Sequence, residues 1–442
     1  MTEPADFTAL MAQERIASGA LSAVEMTKAC LRRIDQREAS IKAWACVDRE
    51  LAMRQAESLD AYRGTGRPIG VLHGLPVGIK DIIDTKDLPT ENGAALDSGR
   101  RPEQDAALVT RLRAAGAVIP GKTVTTECAY LAPSKTLNPF DTGRTPGGSS
   151  SGSAAAVASG MVPFAVGTQT GGSVIRPASF CGVVGFKPTF GLIARSGVLR
   201  TSRSLDTIGT FGRTIEDVAL LADVIAGHHA GDPDSVPMAA PRLLDTALGE
   251  PPVKPQFAFV KTPAWSHIED DCAEGFAELV AALGEQCDEV ELPAVFAEGM
   301  AAHRCIMMAE IAHNLRYYYD KGAERLAAQT RSAIEEGRTV LASQYLAALD
   351  WRDVLYVGLT EIFERYDAII TPAAPGEAPN DLTTTGDSVF NVLWSLTGVP
   401  AVTLPLLTGA NGMPIGVQLV GARFDDGRLL RTARYLVQRL HA

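Results

Sequence analysis

Residues 147–173, GGSSSGSAAAVASGMVPFAVGTQTGGS, begin and end on a Gly-Gly-Ser triplet and enclose an apolar run of small side chains. A flexible Gly/Ser linker would be polar throughout. The run AAAVASGMVPFAVG is apolar and reads as ordered, so these glycines serve close backbone approach. A glycine pair ahead of a serine frees the backbone to aim successive N–H groups at one point beside the hydroxyl, as an oxyanion hole requires. One serine can then attack a carbonyl while the other relays its proton. The relay needs a base, and no histidine lies in this neighbourhood. The stretch GLPVGIKDIID offers Lys80 among Val77, Ile79, Ile82 and Ile83. Desolvation there disfavours the ammonium form, and a neutral lysine can act as a general base. The competing reading, commoner for a lone lysine, is a snorkelling side chain paired with Asp81 or Asp84.

Two other literal matches carry less. Gly116 to Thr123, GAVIPGKT, satisfies the phosphate-loop pattern, but that loop follows a strand and opens a helix, whereas here a helix precedes and Ala-Val-Ile-Pro is itself strand-like. Gly148 to Gly152 fits a nucleophile elbow centred on Ser150. The elbow needs a buried strand before it, and TLNPFDTGRTP is a turn-rich loop. It also needs a downstream histidine; His267, His303 and His313 are available, but each sits in a polar helical context that suits a surface or core histidine.

These residues must be positioned by a chain of 442 residues with 46% hydrophobic and only 6% aromatic side chains, the composition of an α/β enzyme whose core is Ala, Val, Leu and Ile. A net charge of -11 argues against nucleic-acid or anionic-membrane partners and for a small substrate. Seven scattered cysteines without a CxxC pair suit reduced thiols in a cytoplasmic protein, with no disulfide framework and no zinc site. The start MTEPADFTALM lacks a basic, then apolar, leader, and no run reaches membrane-span length.

Apolar spacing predicts helices over residues 6–62, a strand and tight loop in PIGVLHGLPVGIKDIIDT, and a helix AALVTRLRAA capped by Asp105 and stopped at Gly116, followed by a strand AVIPGKT. Helix and strand go on alternating to Leu199 and again from Thr214. Residues 227–255 read as a surface loop or a connector to an inserted helical section, 268–364 as mostly helical, YDAIITPAAP as a buried strand running into a loop, and GMPIGVQLVG with DGRLLRTARYLVQRL as a last strand and helix. The expected organisation is one α/β domain over 1–442: N-terminal helices in 1–64, a core over 65–227, and a helical insertion over 256–365.

The segments GGSSSGSAAAVASG, GTQTGGSVIRPASFCGVVGFKPT, GLPVGIKDIIDT and SLDTIGTFGRTIEDVALLADVIAG together resemble the amidase signature family of serine hydrolases over about residues 65–227, and GMPIGVQLVGARFDDGRLL resembles the family's closing strand and helix. The resemblance implies a central mixed β-sheet flanked by helices, a Ser-cisSer-Lys triad, and neither cofactor nor metal. By position, Ser173 matches the nucleophile, Ser149 the serine joined through a cis peptide, and Lys80 the general base. The backbone N–H groups of Thr170, Gly171, Gly172 and Ser173 match the oxyanion hole. Many members read GTDTGGSIR; here Gln169 replaces the acid and Arg176 stands three residues after the nucleophile. That form resembles malonamidase-like members, in which the matching arginine holds a substrate carboxylate; a structural salt bridge is the rival reading. Arg176, Gln169 and Ser150 are thus the substrate-binding candidates. The implied activity is hydrolysis of a small carboxylate-bearing amide or ureido compound, by a protein that is a homodimer in many relatives. The alternatives are a glutamine-hydrolysing amidotransferase subunit with a partner chain, and a non-hydrolytic nucleotide-binding protein built on GAVIPGKT.

Overall fold

The computed structural model describes residues 3–441. Among them, eleven strands form one mixed sheet: β1 Trp44–Val47, β2 Val77–Lys80, β3 Gly121–Thr123, β4 Phe164–Gln169, β5 Val184–Lys187, β6 Thr207–Gly212, β7 Phe257–Val260, β8 Cys287–Val290, β9 Ala368–Pro372, β10 Ala401–Thr408 and β11 Pro414–Val420. Their spatial order is β1-β3-β2-β4-β6-β5-β10-β11-β9-β7-β8. The pairs β2/β3, β2/β4, β7/β8 and β7/β9 are parallel and the remainder antiparallel.

Helices cover both faces, so the inner strands read as near-continuous apolar or small-residue runs instead of alternating. In β4, Phe164 and Val166 enter the core with Val77, Ile79 and Val218, while Ala165 turns to the other face against Ala154 to Val157 of the helix Ser151–Ala158. That helix packs on the sheet through alanines, which lets its backbone, and the serines at its start, approach the strand ends closely. Each large apolar side chain so enclosed contributes about 1.5–3 kcal/mol. Among the described residues, no helix is long and apolar enough to cross a membrane, and all seven cysteines are free.

The expected helices at the N-terminus form, as Ala9–Ser18, Ala23–Ile41 and Arg49–Arg63. Ser22 and Glu25 close a capping box on the second. Four details differ from expectation, the first being a short helix, Leu243–Leu248, inside the stretch 227–255 expected as loop or connector. Asp105 does not cap the helix Ala107–Ala114: its carboxylate accepts from the Lys86 N–H at 2.9 Å and pairs with Arg113 at 2.9 Å, and Ala106 holds the cap position. The strand AVIPGKT shrinks to Gly121–Thr123, since Pro120 has no N–H to donate; before it only Val118 bridges, to Pro76. The stretch 256–365 is not wholly helical, because FAFV and CDEV add β7 and β8 to the far end of the sheet. Strands of four residues give too short a window for a periodicity to register.

Candidate active site

Strands β2 and β4 run parallel in the register Val77–Phe164, Gly78–Ala165, Ile79–Val166, so their C-terminal ends emerge side by side. Ligands of open α/β sheets gather outside such strand ends. Lys80 ends β2, fully buried. Its Nζ lies 2.8 Å from Ser149 Oγ, 3.0 Å from Ser150 Oγ and 2.7 Å from Thr168 Oγ1. Both neighbouring acids are taken elsewhere: Asp81 faces Lys122 at 3.4 Å and Asp84 pairs with Arg100 at 2.7 Å. The snorkelling, ion-paired reading of Lys80 therefore fails. Burial drives its ammonium well below the usual lysine range, with the negative charge of Asp206 opposing.

Ser149 and Ser150 precede the helix Ser151–Ala158 in a tight turn. Gly147 takes φ +79 there, and a Cβ on it would sit 2.8 Å from Pro177 Cα, so glycine is required on both counts. The Gly148–Ser149 peptide is cis. The Ser149 hydroxyl faces Lys80 alone, whereas Ser150 Oγ is also bonded to Thr168 O at 3.1 Å and Thr168 N at 3.2 Å. Ser150 is fully buried in that network. It ties Lys80 to β4 and has no face left for a substrate, which corrects its expected place among the binding residues.

Gln169 needs the same correction. It is fully buried, its Oε1 accepts from the N–H groups of Val174 and Ile175 at 2.9 and 3.0 Å, and its Nε2 donates to Ser395 Oγ at 3.0 Å. It braces the turn from β4 into the helix Ile175–Phe180.

The turn itself is Thr170-Gly171-Gly172-Ser173. Among the described residues, none of its four backbone N–H groups donates to a protein acceptor, and the Ser173 hydroxyl has no hydrogen-bond partner. All four residues line a cavity of about 460 Å³. A Cβ on Gly172 would lie 2.3 Å from Asn391 Oδ1, so only glycine lets the backbone run this close. The walls come from Tyr130 and Leu131 on one side and from Met300, His303, Met307 and Val389 on the other. These fall in two segments, 125–140 and 300–395, outside the sequence motifs.

Arg176 reaches the same cavity. It is 1% exposed, its Nη2 donates to Gly148 O at 2.7 Å and Thr385 Oγ1 at 3.1 Å, and its Nε has no partner. It forms no ion pair among the described residues. Burial lowers the guanidinium to about 10, opposed by the charge of Asp387.

Sequence reasoning missed four contributors. Thr168 receives Lys80, Ser395 donates to Gly171 O at 2.6 Å, and His303 Nε2 meets Thr170 O at 3.1 Å. Asp206 accepts from Thr170 Oγ1 at 2.6 Å and from the N–H groups of Thr201 and Ser202 at 2.8 Å. Desolvation lifts its carboxyl to about 6 against those bonds. Only Asp206 had a signal, as the acid of the quoted SLDTIGT segment; Thr168 and Ser395 are single polar residues in apolar runs, and His303 reads from the sequence as a surface or core histidine. Among the described residues, no histidine hydrogen-bonds Ser150. Lys122 of GAVIPGKT is buried, donating to Ile83 O at 2.7 Å and Thr90 Oγ1 at 2.6 Å, so no phosphate loop forms. Among the described residues, no cluster of three or more His, Cys, Asp or Glu side chains is placed to hold a metal.

Comparison with known proteins agrees with this geometry. Residues 25–430 match the family described as Amidase. The chain is 33% identical, over 473 aligned residues, to a glutamyl-tRNA(Gln) amidotransferase chain of Chloroflexus aggregans, covering 98% of this chain and 96% of that one. A solved structure from work on a vestigial protein complex and the origins of an s-triazine catabolic enzyme superposes with a TM-score of 0.91 at 29% identity over 98% of both chains. The peptide amidase of Stenotrophomonas maltophilia superposes with a TM-score of 0.85 at 27% identity, over 99% of this chain and 97% of that one.

Proposed function

This chain belongs to the amidase family, as an amidase-signature hydrolase of carbon–nitrogen bonds, and on that premise we propose that it cleaves a small carboxylate-bearing amide or ureido compound through Ser173, Ser149 and Lys80. Lys80, uncharged in its buried niche, accepts the proton of Ser149 while Ser149 takes the proton of Ser173. Ser173 Oγ attacks the carbonyl carbon, and the oxygen gathers negative charge among the free N–H groups of the 170–173 turn. Collapse breaks the C–N bond, and the proton returns through Ser149 to the departing ammonia or amine. Water then enters by the reverse relay, and the acyl group leaves as the acid. The Lys80–Ser149 contact at 2.8 Å is already made; the contact from Ser149 to Ser173 closes when substrate fills the cavity, as catalytic hydrogen bonds tighten in the Michaelis complex.

The observation that carries the substrate class is Arg176: a cation 1% exposed, on the wall of the cavity that holds Ser173, with no ion-pair partner among the described residues and only the more distant charge of Asp387, on the same cavity wall, to offset it. A buried guanidinium without a contacting counter-ion is costly, and a substrate carboxylate supplies one bidentately. The test is ammonia release from malonamate against uncharged malonamide. Wild type prefers the acid, and Arg176→Met loses about 10- to 100-fold of that preference, matching one charged hydrogen-bond set. Equal turnover of both amides by wild type would remove the carboxylate from the reading.

A second reading is a glutamine-hydrolysing subunit that works with a partner chain, favoured by the amidotransferase relatives. Glutamine also offers a carboxylate to Arg176. Ammonia release from glutamine that appears only with a co-purifying partner would select this reading over the free-standing enzyme.

A further inference from the structure

The three N–H groups of Gly171, Gly172 and Ser173 each follow a carbonyl that is tied down. Thr170 O accepts from His303 Nε2 at 3.1 Å, Gly171 O from the Ser395 hydroxyl at 2.6 Å, and Gly172 O from the Arg176 N–H at 2.9 Å. These peptides are trans. A trans peptide carries its C=O and the N–H that follows on opposite sides, so holding the oxygen aims the hydrogen. The third tie is the first turn of a helix, but the other two come from side chains far away in sequence. We propose that His303 and Ser395 are positioning residues that aim the Gly171 and Gly172 N–H groups into the oxyanion hole. The proposal rests on the reading of the 170–173 turn as that hole.

Several observations make the ties directional. A carbonyl oxygen only accepts, so His303 must carry its proton on Nε2. The ring is 2% exposed, and burial lowers its imidazole to about 4, so it stays neutral with that one N–H in ordinary buffers. It also packs over the turn: a Cβ on Gly171 would be 3.6 Å from His303 Cε1. For Ser395 the direction is set by Gln169. The Gln169 Oε1 is occupied by two backbone N–H groups, which leaves Nε2 to donate to Ser395 Oγ, and Ser395 must then give its own hydrogen to Gly171 O. An acid at 169 would accept from Ser395 and draw that hydrogen away from the carbonyl. The glutamine of GTQTGGS thus has a task of its own, distinct from substrate contact. His303 lies on the helix Glu298–Asn314 and Ser395 on the helix Val392–Leu396, so the segments that wall the cavity also tension its anion site.

The test uses a desthiobiotin fluorophosphonate on the full chain, followed by intact mass. Attack forms the Ser173 Oγ–P bond, expels fluoride and passes the serine proton to the Lys80 relay, while the phosphoryl oxygen occupies the hole. Removing an oxyanion donor outright costs about 10²- to 10³-fold. A donor left in place but mis-aimed should cost about 10- to 100-fold in labelling rate. His303→Phe and Ser395→Ala are expected in that range, with melting temperatures reporting that they fold. His303→Gln, which restores an N–H donor at the same reach, should return to within about threefold of wild type. Ser395→Ala decides the matter if His303→Phe does not fold. Wild-type rates in folded His303→Phe or Ser395→Ala would overturn the proposal. A wild-type protein that forms no adduct on Ser173 would instead overturn the reading beneath it.

Discussion

Replacing Lys80 by methionine keeps the side chain to its fourth atom and deletes Nζ, so the niche stays filled while the base disappears. Three hydroxyls feel the loss unequally. Ser150 keeps its bonds to Thr168 N and O, at 3.2 and 3.1 Å. Ser149 and Thr168 each lose the one side-chain hydrogen bond they make. Two stranded buried hydroxyls cost about 1–3 kcal/mol each, or about 2–6 kcal/mol together. Opposing this, wild type holds Lys80 well below the usual lysine range through burial. Between that lowered value and about 10.4, the unfolded chain binds a proton the folded chain does not, so rising pH stabilises wild type by about 1.4 kcal/mol per unit. The methionine variant lacks this slope. The assay is urea unfolding of both proteins at pH 7, 8 and 9. Lys122 and Lys187, lowered by burial to about 8 and about 7, titrate in both proteins and cancel in the difference. The gap in stability should widen in favour of wild type by about 1.4 kcal/mol per pH unit, and turnover should fall by about 10²- to 10⁴-fold, the usual contribution of a general base. Parallel pH dependences would mean that Lys80 is charged in the fold, and the neutral-base mechanism would fall.

Ser149→Ala removes the relay while leaving Ser150 and Thr168 on Lys80; turnover should drop by about 10²-fold or more, with little change in the unfolding midpoint. Gly172→Ala forces a methyl to within 2.3 Å of Asn391 Oδ1, so the turn or the Asn391 segment must shift. Thermal unfolding should report about 1–3 kcal/mol of destabilisation, and amide turnover should fall further than that loss of folded protein accounts for.

The motif-bearing half of the site was legible because its chemistry is local in sequence. Two glycine–serine turns and one lysine in an apolar strand suggest a relay; in the structure Lys80 meets Ser149 at 2.8 Å, and the 170–173 turn lines the cavity. What the sequence could not tell was which buried polar residues serve the substrate and which serve the backbone. Ser150 and Gln169 stand beside the reacting groups in sequence, yet their hydrogen bonds run inward to Thr168, Val174, Ile175 and Ser395. His303 and Ser395 stand far away in sequence, yet hold the turn, since a helix-borne histidine has no spacing signature. The same limit affected the fold. Long amphipathic helices emerge from periodicity, and the seven-residue strand β11 from the apolar run in GMPIGVQLVG. The four-residue strands β1, β7 and β8 do not, because their pairing is decided by partners remote in the chain.

The central claim is that Ser173 is the nucleophile of this relay. Peptide mapping after fluorophosphonate treatment of wild type and Ser173→Ala tests it most directly. One adduct on Ser173, absent from Ser173→Ala, is the predicted result; an adduct on Ser150, or undiminished labelling of Ser173→Ala, would contradict it.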